Sequence, residues 1–308
     1  MTAPPYLDEA TLARLMPWPE AVGALESALL GGLRPEAALP RSVHGLDHGQ
    51  FLLMPAQSPR AAGVKLSTVT PGNPGRGLPR IQALFVLFDH QTLRPVALVD
   101  GTALTTLRTP AVSAVAVKHL AAPEAGRMVV FGSGPQAWGH AHAIAAVRPV
   151  RSVAVVGRDA GRAAALADRL TAEGVPAHCG TSSEVEAADV VVCATTARTP
   201  LFDGHLLPEH ACVVAVGSHE PDARELDETV FARAARVVVE TAEVALAEAG
   251  DVVTAVAAGA VAGEDLVALA DAVRMRPGPG ISVFKSVGMG WQDLVVAEAA
   301  HRRWLADE

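Results

Sequence analysis

Three cations in this chain stand isolated among apolar or glycine-rich neighbours: Arg41 in Leu39-Pro40-Arg41, Lys65 in Gly63-Val64-Lys65-Leu66-Ser67-Thr68, and Arg108 in Leu107-Arg108-Thr109-Pro110. A buried unpaired charge is costly, so each is either paired inside the fold or aimed at an anion. The residue types leave both readings open. A net-acidic protein that binds a carboxylate needs a cluster of this kind, because charge-assisted hydrogen bonds are the strong ones.

A second constellation points to a dinucleotide. Val129-Val130-Phe131-Gly132-Ser133-Gly134-Pro135-Gln136-Ala137 reads as a strand running into G-x-G-x-x-A and then a helix. Gly132 permits the tight turn, Gly134 lets backbone approach a pyrophosphate, and Ala137 allows close helix–strand packing. The helix N-terminus, with Ser133, Pro135 and Gln136 around it, adds N–H groups and positive dipole. The motif carries weight because it opens a βαβ unit whose second strand ends at Val156. Beyond that strand comes Gly157-Arg158-Asp159. An acid here takes the ribose hydroxyls of NAD, whereas an Arg accommodates the 2′-phosphate of NADP. Arg158 follows the strand directly and Arg162 lies one helical turn on, which favours NADP(H). Asp159, also suited to a helix N-cap, keeps NAD(H) open.

The elements that must position these residues are of two kinds. Residues 6–30 read as helical, with Leu12, Leu15, Val22, Leu25 and Leu29 at helical spacings. Between Arg41 and Leu98 short apolar runs alternate with Gly/Pro punctuation, the pattern of an antiparallel sheet, and Asp89-His90-Gln91-Thr92 joins two strands as a hairpin. A helix follows from about 102 to 120. From Arg127 the chain alternates strands at 128–131, 152–156, 189–194, 212–216 and 237–240 with helices at 135–146 and 160–171. Apolar runs interleaved with helices indicate buried parallel strands. A strand at 281–284 and a helix at 290–304 close the chain. The fold class is α/β: a Rossmann-type doubly wound parallel sheet domain plus a sheet-rich α+β domain.

Composition narrows the partners. Lys+Arg 25 against Asp+Glu 33 gives a net charge of −8, and no Lys/Arg-rich run is present, so nucleic acid and an anionic membrane surface are excluded as expected partners. Half of the 308 residues are hydrophobic, which excludes low-hydrophobicity disorder over most of the length. The Ala/Val-rich stretch 252–273 carries Glu264 and Asp265 and falls short of a membrane span. Asp8 and Glu9 stand where a signal peptide wants positive charge. The three cysteines, Cys179, Cys193 and Cys212, form no C-x-x-C and fit reduced core thiols, so the expected compartment is cytoplasmic. His140 and His142 point to different helix faces, and His44 and His48 bracket a loop; no metal site is expected.

The chain resembles the ornithine cyclodeaminase/mu-crystallin family over nearly its full length. The segments that carry the likeness are Met54-Pro55, Gly63-Val64-Lys65 with Pro71 and Asn73, Gly77-Leu78-Pro79, Asp100-Gly101 and Leu104-Thr105-Thr106-Leu107-Arg108-Thr109. They continue through Gly132-Ser133-Gly134-Pro135-Gln136-Ala137, the run from Gly217-Ser218-His219 to Glu225-Leu226-Asp227, and Val283-Phe284-Lys285-Ser286-Val287-Gly288. The resemblance implies a homodimer. Residues 1–116 with the helix 290–308 would form a substrate-binding and dimerisation domain, and 117–289 the Rossmann domain.

It further implies that Arg41, Lys65 and Arg108 surround the substrate carboxylate beside the nicotinamide ring. Thr109 would lie at the cofactor phosphates; Ala194, Thr195, Thr196 and Val216 would border the nicotinamide, with Ser286 completing that wall. One departure separates activities. The family's cyclodeaminases and archaeal alanine dehydrogenases are similar in carrying an Asp two residues after the Gly matched here by Gly217. This chain has His219, a residue that moves protons near neutral pH. The following Pro221-Asp222-x-Arg224-Glu225-Leu226-Asp227 resembles the cyclic imine reductase branch. The expectation is NAD(P)H-dependent reduction of cyclic imino acids, pyrroline-2-carboxylate or piperideine-2-carboxylate, to proline or pipecolate. The alternatives are ornithine cyclodeaminase, an amino-acid dehydrogenase such as alanine dehydrogenase acting on an amino acid with a free carboxylate, and a mu-crystallin-like binding protein without catalysis.

Overall fold

The computed structural model describes residues 3–307. The chain divides into two compact units, one made of Met1–Ala28, Ala37–Arg108 and Met289–Glu308, the other of Leu29–Glu36 and Thr109–Gly288. The first long boundary thus falls after Arg108, inside the helix Gly101–Leu120, and not after residue 116. Pro110 sits in that helix two residues past the boundary and takes one N–H out of its ladder.

The first unit is a six-stranded sheet in the order Tyr6–Leu7, Pro95–Asp100, Ile81–Asp89, Ala61–Val69, Gly49–Gln57, Ser42–Leu46. Its pairs are antiparallel except that Tyr6–Leu7 runs parallel to Pro95–Asp100. Alternation decides what faces inward: along Ala61–Val69 the buried residues are Ala61, Gly63, Lys65 and Ser67. The helix Gly290–Asp307 packs on Gly49–Gln57, Ala61–Val69 and Ile81–Asp89. It comes so close that a Cβ on Gly290 would stand 2.8 Å from the Pro55 carbonyl oxygen. Residues 6–30 are not one helix. Leu7 belongs to the sheet, and Pro17 separates the helices Glu9–Leu15 and Trp18–Leu30, the residue before a proline being disfavoured as helix. His44 lies on the edge strand Ser42–Leu46.

The second unit carries an eight-stranded, wholly parallel sheet in the order Val267–Ala268, Ala234–Val239, Ile281–Lys285, Cys212–Ala215, Val190–Cys193, Arg127–Phe131, Ser152–Val156, Ala177–Cys179. The chain starts at Arg127–Phe131, builds outward to Ala177–Cys179, then crosses to Val190–Cys193 and builds the other way. The order therefore reverses between Arg127–Phe131 and Val190–Cys193, the place where doubly wound sheets bind ligands. The strands end in one row: Cys193 pairs with Phe131 and Ala215, Phe131 with Val156, and Lys285 with Ala215 and Val239. The two outermost strands escaped the sequence reading because they are short. Cys193 and Cys212 are buried free thiols, but Cys179 is exposed on the edge strand and is no core residue. His140 is a core histidine. Its Nδ1–H donates to the Gln136 carbonyl at 2.7 Å and its Nε2 accepts from Ser113 Oγ at 2.9 Å, while burial pulls its pKa down to about 4.

Buried carboxylates tie the loops at the carboxyl edge of this sheet. Asp251 pairs with Lys285 Nζ at 2.7 Å, and its Oδ1 accepts from the Glu225 and Leu226 amides at 2.7 and 2.8 Å. Lys285 also donates to the Ser218 carbonyl at 2.8 Å. Both side chains of the pair are fully buried, so removing one partner leaves the other charge stranded, at a cost of about 3–5 kcal/mol. Asp251→Ala is expected to lower stability by about that amount in urea denaturation followed by circular dichroism. A loss within ~0.5 kcal/mol, the scale of an ordinary surface substitution, would mean the pair does not hold the fold.

Candidate active site

The first unit brings its cations together around one acid. Lys65 Nζ lies 3.0 Å from Asp293 Oδ1 and 2.9 Å from Oδ2, and donates to Thr105 Oγ1 at 3.2 Å. Arg108 Nε stands 3.3 Å from Asp293 Oδ1, and its Nη1 donates to Gln292 Oε1 at 2.5 Å. Lys65 is 2% exposed, Arg108 4% and Asp293 0%. Arg41 is half-buried just before the edge strand and lies near enough to act on the charge of Lys65.

Burial pulls the Lys65 ammonium down from 10.5 to about 8. Asp293 opposes that pull by its charge and hydrogen bond, while Arg108 and Arg41 add to it. Two buried cations, Lys65 and Arg108, share the one carboxylate of Asp293, which leaves this trio with positive charge to spare. Because charge out of water needs a counter-charge, this arrangement fits an anion.

In the second unit Gly132, Gly157, Ala194, Val216 and Ser286 each follow directly on a strand of the row that ends together. Their amides continue the ladder: Gly132 donates to Val156 at 2.8 Å, Ala194 to Phe131 and Val216 to Cys193 at 2.9 Å, and Ser286 to Ala215 at 3.1 Å. Gly132 has φ +121° and its missing Cβ would lie 2.5 Å from the Ala194 carbonyl oxygen, so only glycine fits. Gly134 caps the helix Pro135–Ala145 without a side-chain bond, Pro135 opens it, and nothing stands within 4 Å where a Gly134 Cβ would point. Open space over a helix N-terminus with Ser133 and Gln136 beside it fits a pyrophosphate. Asp159 is spent on capping: its Oδ1 accepts from the Arg162 amide at 3.0 Å. Arg158 and Arg162 are both exposed.

Several candidate residues have partners within the fold. Thr195 Oγ1 donates to Glu225 at 2.7 Å and Ser286 Oγ to Glu240 at 2.9 Å, so both hydroxyls close loops and leave the backbone for a ligand. Thr196 and His219 are exposed and Thr109 is buried in its helix. Asp222 pairs with Arg198 at 2.5 Å. Among the described residues no three His, Cys, Asp or Glu side chains group as metal ligands, and no helix is long and apolar enough to cross a membrane.

The sequence reading missed Asp293, Gln292 and the loop-holding acids Glu225, Glu240 and Asp251. Glu225 receives the Thr195 amide at 2.8 Å and the Gly217 amide at 2.7 Å, and Glu240 receives Val287 and Gly288 at 3.0 and 3.2 Å. Burial raises the Glu225 carboxyl above its ordinary value, against Lys285 and the bonds from Thr195 and Gly217. A signal for Asp293 was present: it shares a buried helical stripe with Val296, Ala297 and Ala300.

A doubly wound parallel sheet with this glycine turn, in one chain with a sheet bearing a cation-rich cluster, is the build of a dinucleotide-dependent oxidoreductase. Residues 19–308 match the ornithine cyclodeaminase/mu-crystallin family, and the chain belongs to it. A Delta(1)-pyrroline-2-carboxylate reductase of Bacillus cereus is 36% identical over 268 residues, 83% of this chain and 82% of that one. A Delta(1)-pyrroline-2-carboxylate/Delta(1)-piperideine-2-carboxylate reductase of Azospirillum brasilense is 35% identical over 303 residues, 96% and 94% of the two chains. Among solved structures, that of Thermococcus litoralis Delta(1)-pyrroline-2-carboxylate reductase in complex with NADH and L-proline aligns with a TM-score of 0.89, at 29% identity and 98% coverage of both chains.

Proposed function

We propose that this protein reduces cyclic imino acids, pyrroline-2-carboxylate and piperideine-2-carboxylate, to proline and pipecolate with a nicotinamide cofactor. The observation that carries the reading is that two buried cations, Lys65 and Arg108, share the single carboxylate of Asp293. The names of the relatives support it. The cofactor, when bound, supplies the hydride. Arg41 and Arg108 hold the substrate carboxylate, which the guanidinium fork suits. Lys65 orients it and holds a proton at Nζ for the ring nitrogen, which becomes an amine when the C=N bond is reduced. Hydride transfer needs the acid and the dinucleotide held at once, and positioning then supplies much of the rate. Gly132 to Gln136 and Thr109 receive the phosphates; Ala194 to Thr196, Val216 and Ser286 border the nicotinamide through their backbone. His219, exposed in its loop, stands where an amine-oxidising relative carries an acid, and it weighs against cyclodeamination.

NADP(H) is the preferred cofactor on this reading, because Asp159 is engaged as a cap while Arg158 and Arg162 remain exposed. The protein works as a homodimer through the face of the six-stranded sheet opposite Lys65. Leu66 there pairs across to Leu53 and Leu84, and Val64 to Pro55 and Val86, an apolar patch where a solvated sheet face alternates to polar. Its site of action is the cytoplasm, whose reducing conditions suit the free thiols Cys193 and Cys212.

Mixed with NADPH and pyrroline-2-carboxylate, the purified protein is expected to consume the absorbance of the reduced nicotinamide, and to release no ammonia from ornithine alone. Ammonia from ornithine without added reduced cofactor would replace this reading with cyclodeamination. In fluorescence titrations Arg158→Ala is expected to weaken NADPH about tenfold, roughly 1.4 kcal/mol, with NADH little changed; equal losses would sink the 2′-phosphate assignment. Sedimentation of Leu66→Glu is expected to show a monomer where the native chain is a dimer, and a surviving dimer would move the interface elsewhere.

A further inference from the structure

Of the 25 Lys and Arg residues only Lys65, Lys118 and Lys285 are lysine. Lys65 points from a central strand into the buried side of its sheet, where its cross-strand neighbours are the uncharged Met54 and Phe85. The charged groups that face it come from three other elements. Arg108 is on the helix Gly101–Leu120, Arg41 precedes the strand Ser42–Leu46, and Asp293 is in the first turn of the helix Gly290–Asp307. Among the described residues that act on its charge, the negative one is Asp293. It meets Lys65 with both oxygens and Arg108 with Oδ1. Gly290, against the Pro55 carbonyl, sets how deeply that helix seats.

We propose that Asp293 is a positioning residue for imine reduction, holding Lys65 as an ammonium and fixing it beside Arg108. The inference rests on the function proposed above, since the proton held at Nζ is the one given to the ring nitrogen. Burial and two neighbouring guanidiniums all favour the neutral amine of Lys65. Asp293 is the counterweight. An ammonium is present below the pKa of Lys65 and lost as pH rises through about 8. Without the Asp293 charge that loss comes at lower pH. The carboxylate-binding charge of the cluster is undiminished by the same change, so the defect belongs to kcat and not to KM.

The test uses the full chain labelled with 13C at lysine Cε, whose three lysine signals are assigned with Lys118→Arg and Lys65→Arg. Native Lys65 is expected to titrate near pH 8, and Asp293→Asn to lower that midpoint by about one unit, a tenfold change in the ammonium-to-amine ratio. The alkaline limb of kcat is expected to move with it, with KM for pyrroline-2-carboxylate unchanged or lower. Asp293→Glu keeps the charge and is expected to retain the native titration while lowering kcat. The proposal is overturned by a neutral Lys65 at pH 7 in the native chain, which needs no variant to fold. It is equally overturned if folded Asp293→Asn keeps the native midpoint and limb, or if Asp293→Glu shifts them as Asn does. The titration is read without turnover. A chain that titrates as expected yet reduces no cyclic imine supports the role of Asp293 in holding Lys65 and removes the proposed substrate.

Discussion

The ion pair between Lys65 and Asp293 is the contact on which the first unit depends, and it spans 228 positions of sequence. A charge on the inner face of a sheet is tolerable only with a partner, and the partner rides on the last helix. The chain must therefore make the strand Ala61–Val69 early, run through Thr109–Gly288, and return with Gly290–Asp307 to neutralise it. The discontinuity of the unit is a consequence of where its counter-charge is stored. Closing such a long loop costs entropy that grows only slowly with length, so a whole second unit can be accommodated inside it.

Within the second unit the controlling constraint is the common row at which its strands end. Because Phe131, Val156, Cys193, Ala215, Lys285 and Val239 are in register, the residues after them line one edge without any further device. The turn at Gly132 then follows from sterics, since the Ala194 carbonyl on the neighbouring strand occupies the place of a side chain. The loops beyond that row have no ladder of their own. Carboxylates that accept amide hydrogens do the holding: Glu225 for Thr195 and Gly217, Glu240 for Val287 and Gly288, and Asp251 for the segment that carries Glu225 itself.

These two constraints explain what could be read from residues alone. Strand and helix periods are local, so most strands of the two sheets and the helix Pro135–Ala145 were legible to within about three residues, whereas the short strands Tyr6–Leu7, Ala177–Cys179 and Val267–Ala268 were not. The glycine turn was legible because its geometry admits few residue types. Asp293 was not, since an acid in the first turn of a helix reads equally well as a solvated partner of the dipole. Its inward stripe has meaning only once the facing strand is known. Glu225, Glu240 and Asp251 were illegible for another reason. Their partners are backbone amides, which have no residue identity to pair with in sequence.

The same buried Lys–Asp pair occurs once in each unit, and the surroundings decide what it does. Lys285 and Asp251 lie with Glu225 among amide donors, so the acids outnumber the cation and are satisfied by the fold itself. Nothing remains there to recruit a ligand. Lys65 and Arg108 share Asp293, so the cations outnumber the acid and the surplus points to an anion from outside. Lysine is the residue suited to both places. Its compact ammonium can be held by a single carboxylate and gives up its proton readily when desolvated, whereas an arginine would stay charged in either setting. A chain that uses arginine for nearly every other cation has kept lysine at the two buried positions where a point charge is required, and only one of these, by the imbalance around it, is left with chemistry to do.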